Sequence, residues 1–418
     1  MRKKDRSNLP CYSSFLGNLL EHYDTALFSF LSPFLAPILF PDKDPIQALM
    51  YTYAFIPLGM LARPLGAYAF GYIGDRYSRQ KALFLSLFFM GLVSLLIGLS
   101  PYLPGFYSLA PWVFSIARIS QNFFAAGEVV GAAVFILEED RENKKDILSG
   151  LYSATTIGGI LLASAAITCF CYTSLIDRWH YLYLAGSLTA IFGILLRRNN
   201  ISQSQEQTAS LLTHKQQFKV LIENKKPIFM IAVCSGFSYA CYSLCCVLPV
   251  GLLPLIGHVT KEQMSSINTL LLVLDFCLLP FFGWVAMRQG RSRVMFISAL
   301  LSAILAPLFF YMMSSPYLWL ILSARISLVI LGVAFAAPFY AWAQELVEKR
   351  HRYSIISIGY ALGSQLLGAP FAALTIWIYK KTGSMSWVSI YWMAIAALTI
   401  VVLKWRRAEP QKNVVLEY

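Results

Sequence analysis

Gly71-Tyr72-Ile73-Gly74-Asp75-Arg76-Tyr77-Ser78-Arg79-Gln80-Lys81 separates two long apolar stretches. A charged turn between two runs of membrane length has to sit at a water interface, because charge is costly in hydrocarbon. A weaker copy, Gly283-Trp284-Val285-Ala286-Met287-Arg288-Gln289-Gly290-Arg291-Ser292-Arg293, stands between two apolar runs of the second half. One membrane-embedded unit is written twice, and internal duplication of this kind points to a transporter.

Working outward from that turn, composition supports the membrane reading. Charged residues make up 13% of the 418 residues and hydrophobic ones 57%. A soluble chain carries about 25% charged residues, so a water-facing surface around the whole molecule is not available here. Apolar stretches of about 20 residues recur, the length a helix needs to cross ~30 Å of hydrocarbon. Spans are expected near 14–38, 47–73, 81–99, 110–137, 148–171, 180–197, 227–256, 264–287, 293–313, 316–345, 354–379 and 385–404. Alternating barrel strands are absent, so helices are the spanning element. Arg2, Lys3, Lys4 and Arg6 precede the first span as in a signal peptide, but its length and the lack of a small-residue cleavage site predict a retained helix.

The formal charge of +13 invites a nucleic-acid partner, and its placement argues against one. Of the 34 Lys and Arg, only Lys43, Arg178, Lys261, Lys380 and Lys381 fall on the predicted outer loops. Arg63, Arg118 and Arg325 lie within spans, and the rest cluster on the opposite side. That asymmetry is the positive-inside rule and places both termini in the cytoplasm. Most of the 8 cysteines lie in spans, where thiols usually pack as small hydrophobes. Cys234, Cys241 and Cys245 share a helical face without a histidine or acid, so no metal site is expected.

The only long polar stretch runs from Arg197 to Lys226. It divides the chain into an N-terminal six-helix bundle over 1–198, a cytoplasmic linker over 199–226 and a C-terminal six-helix bundle over 227–418. Ala117-Arg118-Ile119-Ser120 recurs as Ala324-Arg325-Ile326-Ser327, and Glu138 and Glu345 repeat at the same offset. Matches in one order at equivalent places identify parallel repeats about an axis along the membrane normal.

These residues resemble the major facilitator superfamily, whose signature between helices 2 and 3 is a glycine, then Asp-Arg, then Gly-Arg-Arg or a close variant. Ser78 stands for the second glycine, and Met287 for the aspartate in the second copy. Further motifs are similar to the metabolite:proton symporters, the branch with proline/betaine, 2-oxoglutarate, citrate and shikimate carriers. They are Gly17-Asn18-x-x-Glu21-His22-Tyr23-Asp24, Arg63-Pro64-Leu65-Gly66, and Arg118-x-x-Gln121-Asn122 followed by Ala126-Gly127-Glu128. His22 stands where an aromatic is usual, and Asn122 and Ala126 replace glycines. The resemblance implies an all-α membrane protein of twelve transmembrane helices in two pseudo-symmetric six-helix bundles. It also implies that helices 1, 4, 7 and 10 line a central cavity, and that Gly71, Asp75, Arg76 and Arg79 form a conformational latch with Glu138 and Arg141.

Ionisable residues at bilayer depth usually face a cavity or a partner. Glu21 and Asp24 lie three apart on helix 1, so they share a face and resist joint ionisation. They are the candidate proton-coupling pair, with pairing to Arg63 as the structural alternative; His22 is expected to pack in place of an aromatic. Asn18, Arg118, Gln121, Glu128 and Arg325 are candidate substrate ligands. The repeat sets Arg118 and Arg325 at matching depth, where two guanidiniums facing one cavity would grip a carboxylate. An Arg325–Asp275 pair between helices 10 and 8 is the alternative. Tyr239 and Tyr242 on helix 7 would offer ring faces to a quaternary ammonium, with packing as the alternative role.

The expected function is proton-coupled uptake of a small organic solute, a carboxylate or a zwitterion such as proline or betaine, by alternating access. The proton is the coupling ion and no cofactor is expected. The expected partners are a small-molecule substrate and the lipid bilayer of a bacterial inner membrane, with a monomeric protein. A proton-antiport exporter of the same superfamily is the first alternative. Exporters carry a glycine-and-proline motif in helix 5, and Ser153-Ala154-Thr155-Thr156-Ile157-Gly158-Gly159 has no proline after its glycines. No HExxH, nucleophile elbow or phosphate-binding loop marks a membrane enzyme. A non-transporting membrane sensor would call for a soluble output domain, which no polar stretch here is long enough to form.

Overall fold

Proline and glycine set the breaks in an all-helical chain. A computed structural model describes residues 9–76, 79–126, 129–138, 144–173, 175–187, 214–256 and 259–408, and no strand occurs among them. The first half contains α1 (Leu9–Leu39), α2 (Pro45–Met60), α3 (Arg63–Arg76), α4 (Arg79–Leu99), α5 (Phe106–Ala125), α6 (Val129–Glu138), α7 (Lys145–Tyr172) and α8 (180–187). The second contains α9 (His214–Glu223), α10 (Lys225–Tyr242), α11 (Leu248–Ile256), α12 (Lys261–Gln289), α13 (Arg291–Met313), α14 (Leu318–Ala336), α15 (Phe339–Glu345), α16 (Arg352–Gly363), α17 (Phe371–Thr382) and α18 (Ser386–Ala408). α9 falls inside the stretch read as a linker, so that stretch is partly helical.

Nine helical stretches among the described residues are long and apolar enough to cross a membrane. Three expected spans are missing from that group for identifiable reasons. Glu21, His22 and Asp24 lower the hydropathy of α1; residues 127 and 128 between α5 and α6 lie outside the described residues; and α8 is described only over 180–187. α1, α5 with α6, and α8 stand where the other three of the twelve expected spans fall.

The two halves meet along α7 and α12. Gly283, the first glycine of the second turn motif, permits the approach: a methyl group there would stand 2.6 Å from the Asp146 carbonyl. Gly150 does the same from the other side, 2.5 Å from the Leu279 carbonyl. Small residues at helix crossings let backbones come together where no hydrophobic drive separates lipid from side chain. Farther along the same seam Ser164 and Thr168 bond Thr269 and Ser265, the closest at 2.8 Å. Gly283→Ala is therefore expected to push the helices apart and to cost about 1–3 kcal/mol. A lower thermal midpoint of the detergent-purified protein checks this, and an unchanged midpoint would show that the seam yields.

Inter-half contacts close both ends of the molecule. At the end where α18 finishes, Arg291 bridges Asp146 and Glu345, each at 2.9 Å, and Arg406 also binds Glu345. Glu138 pairs with Arg352 of the second half at 3.5 Å. At the opposite end Lys380 bonds Asp44 at 2.7 Å, and the Tyr53 hydroxyl donates to the Val247 carbonyl at 3.0 Å. Asp44 also caps α2 by accepting from the Gln47 amide at 2.9 Å. The hydrogen bond from Lys380, then that amide, hold the Asp44 carboxyl below the usual range, so this exposed tie weakens only in strong acid. Lys261 donates to the Pro33 carbonyl at 3.1 Å. That carbonyl is free because its helical partner four residues on would be Pro37, which has no N–H.

Candidate central cavity

Local backbone chemistry decides where the buried arginines point. Between α10 and α11 the chain makes a π turn over Ser243–Val247. Pro249 follows and cannot donate to Cys245 four residues earlier, so the Cys245 carbonyl is left for another donor. Arg325 takes it twice, through Nε at 3.1 Å and a terminal nitrogen at 2.7 Å. That same nitrogen donates to Asn268 Oδ1 at 2.7 Å, and the other terminal nitrogen contacts Met264 Sδ. Arg325 has 0% exposure, and its guanidinium is consumed in holding α14 to α12 and the π turn.

Arg118 is equally buried in the first half. Its guanidinium lies 4.8 Å from the Phe28 ring centroid and donates to Gln121 Oε1 at 3.1 Å. Gln121 donates to the Ser94 hydroxyl at 3.2 Å, and Ser94 donates to Asp24 Oδ2 at 2.7 Å. Every donor in this chain points toward the Asp24 carboxylate. Asp24 Oδ1 has no hydrogen-bond partner and lies against Gly186, where a methyl group would strike it. The group is thus held from one side, while its other oxygen is buried without a hydrogen-bond partner.

Glu21 faces a different neighbour. Its carboxylate is fully buried and lies 3.7 Å from the Arg63 guanidinium. Glu21 and Asp24 share a helix face in sequence, yet one engages α3 and the other α4. Asn18 bonds Thr155, Thr156 and Tyr152 of α7, between 2.9 and 3.1 Å, and so ties α1 to α7.

Between the halves lies a cavity of ≈ 150 Å³. The first half contributes His22, Thr25, Ser29, Arg63, Ser153 and Thr156; the second contributes Tyr239, Tyr242, Cys246, Asp275, Tyr340 and Tyr360. A cavity of that volume is large enough to take up benzene, so the chamber suits a small solute. His22 Nδ1 donates to the Asn18 carbonyl at 2.8 Å, since a carbonyl only accepts; a neutral His22 keeps Nε2 as an acceptor. The Tyr239 and Tyr242 rings meet edge to face with centroids 6.1 Å apart, and Tyr340 stacks with Tyr360 at 6.1 Å.

Several expectations change here. Arg118 and Arg325 do not line the cavity; each makes its hydrogen bonds inside its own bundle. Arg325 does not pair with Asp275 either; Asn268 and a freed carbonyl serve it instead. Asn18 and Gln121 are bonded within the first half and are not in the cavity wall. Of the expected substrate ligands, Tyr239 and Tyr242 do line the cavity. His22 lines it too, rather than only filling an aromatic's place. Glu138 meets Arg352 of the second half. Glu128 and Arg141 lie outside the described residues, as do the side chains of Asp75, Arg76 and Arg79 and the surroundings of Gly71. Sequence reasoning passed over Tyr340, Tyr360, Ser153 and Thr156. Only mid-span polarity marked them, and the chain has 23 tyrosines.

Comparison with known proteins follows the same lines. The pattern described as "Sugar (and other) transporter" matches residues 11–199, and that described as "Major Facilitator Superfamily" matches 228–417. A citrate-proton symporter of Klebsiella pneumoniae is 26% identical, covering 91% of this chain and 87% of that one. A putative proline/betaine transporter of Staphylococcus haemolyticus is 23% identical, covering 96% and 89%. An alpha-ketoglutarate permease of Escherichia coli is 25% identical over 94% and 92%. Among solved structures, the xylose transporter XylE from E. coli in a partially occluded inward-open conformation superposes with a TM-score of 0.71. It is 15% identical, and the match covers 97% of this chain and 98% of that one.

Proposed function

The chain belongs to the major facilitator superfamily, whose members carry small organic solutes across membranes, and from that premise we propose that it takes up its solute together with a proton. The solute is a carboxylate or a zwitterion. The bundles over 1–198 and 227–418 rock about the cavity, both termini face the cytoplasm, and the host membrane is a bacterial inner membrane. The observation that carries this reading is one cavity walled by both halves, with inter-half contacts at each end of the molecule. Alternating access needs a central site that either set of contacts can seal.

Roles follow from position. Asp24 carries the coupling proton, because it combines buried stabilising donors with an unbonded oxygen. Arg118 acts on Asp24 through Gln121 and Ser94, and touches no solute. Arg63, with Glu21 beside it, is the cavity's guanidinium for a solute carboxylate. Tyr239 and Tyr242 supply ring faces, while Asn18 and Arg325 hold the wall in place. The contacts of Arg291 and Arg352 open when the cavity faces the cytoplasm, and those of Lys261 and Lys380 open when it faces outward. Coupling arises if proton and solute each favour one facing state over the other.

Uptake into proteoliposomes tests the proposal. An inward proton gradient should drive accumulation of the transported solute above its outside concentration, and a protonophore should remove it. Accumulation that survives the protonophore and needs sodium would reject proton coupling.

A further inference from the structure

The cavity wall carries two ionisable groups of opposite sign, Arg63 and Asp275, that differ in what surrounds them. Arg63 already faces the Glu21 carboxylate. Asp275, from the middle of α12, opens into the cavity, and no described hydrogen bond or ion pair engages it. Its expected cation, Arg325, is consumed by Cys245 and Asn268. Arg118, the counterpart of Arg325 in the repeat, is turned into the first bundle. Among the described residues, the wall therefore presents one guanidinium already paired with an acid and one carboxyl group with no counter-charge.

A dicarboxylate placed in this chamber would meet Asp275 as a like charge, with a single, already compensated guanidinium in its favour. A compound with a positive nitrogen would complete the missing pair. Tyr242 lines the same cavity, and its neighbour Tyr239 stands edge to face with it, so their rings can flank such a nitrogen. The carboxylate of the same compound would turn to Arg63.

We infer that Asp275 receives a positively charged nitrogen of the solute, so that the cavity selects a small zwitterion over a dicarboxylate. The inference rests on reading the cavity as the solute site. Asp275 is then a specificity-determining residue, and the two bundles each grip one end of the solute: the first through Arg63, the second through Asp275. A dipolar solute so held spans the seam that must close around it.

Solute counterflow in proteoliposomes tests this without any proton gradient, so failure here is distinct from failure of proton coupling. The probes are glycine betaine and L-proline against 2-oxoglutarate and succinate. The wild-type protein is expected to exchange at least one of the zwitterions and neither dicarboxylate. Asp275→Asn should raise the half-saturation for that zwitterion by tenfold or more, and Asp275→Glu should restore part of it. Gel filtration reports whether each variant folds, and the wild-type panel decides the matter even if neither does. Exchange of a dicarboxylate, or of neither zwitterion, overturns the inference. So does an Asp275→Asn protein with unaltered half-saturation. Loss of gradient-driven accumulation with counterflow intact would equally overturn it, by assigning Asp275 to the proton.

Discussion

Asp24→Asn is expected to stop gradient-driven accumulation and to spare exchange. Asparagine is nearly the same shape, and its side-chain oxygen can still accept from Ser94, whose hydroxyl now lies 2.7 Å from the carboxylate. It cannot take up and release a proton at neutral pH. With no proton bound on one side and shed on the other, the driving gradient has no handle on the facing equilibrium. The accumulation ratio should fall to about one, the value of a carrier that only equilibrates. Counterflow should stay within about fivefold of wild type, because a near-isosteric change outside the cavity wall alters binding by about 1 kcal/mol. Full accumulation by the Asp24→Asn protein would remove Asp24 from the coupling role.

The second large effect is expected at Arg63. Arg63→Met would leave the fully buried Glu21 carboxylate without the guanidinium now 3.7 Å away. Removing one partner of a buried pair typically costs 3–5 kcal/mol, since the remaining charge keeps its desolvation penalty. A sharp drop in thermal midpoint and loss of transport should follow. Replacing both partners, Glu21→Gln with Arg63→Met, should recover most of the midpoint, because the carboxylate is then removed together with its guanidinium. Transport should not return, since Arg63 also forms the cavity wall. A single variant as stable as wild type would mean that water or another group already serves Glu21, and a double variant that transports would free Arg63 from solute binding.

The two predictions separate residues that look alike in sequence. Glu21 and Asp24 are both acids on one helix at a spacing that puts them on one face. What distinguishes them is the neighbour: a guanidinium of α3 for one, and a hydroxyl–amide–guanidinium chain from α4 and α5 for the other. Arg118 and Arg325 likewise repeat in sequence, and both are buried. Their partners differ because Pro249 frees a carbonyl beside Arg325, whereas Gln121 and Phe28 flank Arg118.

Hydrophobic run length, the duplicated charged turn and the scarcity of charge were enough to determine a twelve-helix, twofold-repeated membrane fold. Those features act locally, since each helix must satisfy its own backbone in lipid and each charged turn must find water. The ionisable residues at membrane depth were also legible, because their cost in hydrocarbon makes them conspicuous in an apolar run. Which of them face the central cavity was decided only by the tertiary structure. A buried polar group turns toward whichever partner the packing leaves available, and that choice depends on proline-freed carbonyls, glycine-permitted crossings and residues from helices far away in the chain. Arg63, His22 and Asp275 thereby came to line the chamber, while Arg118 and Arg325 were turned inward to hold its walls.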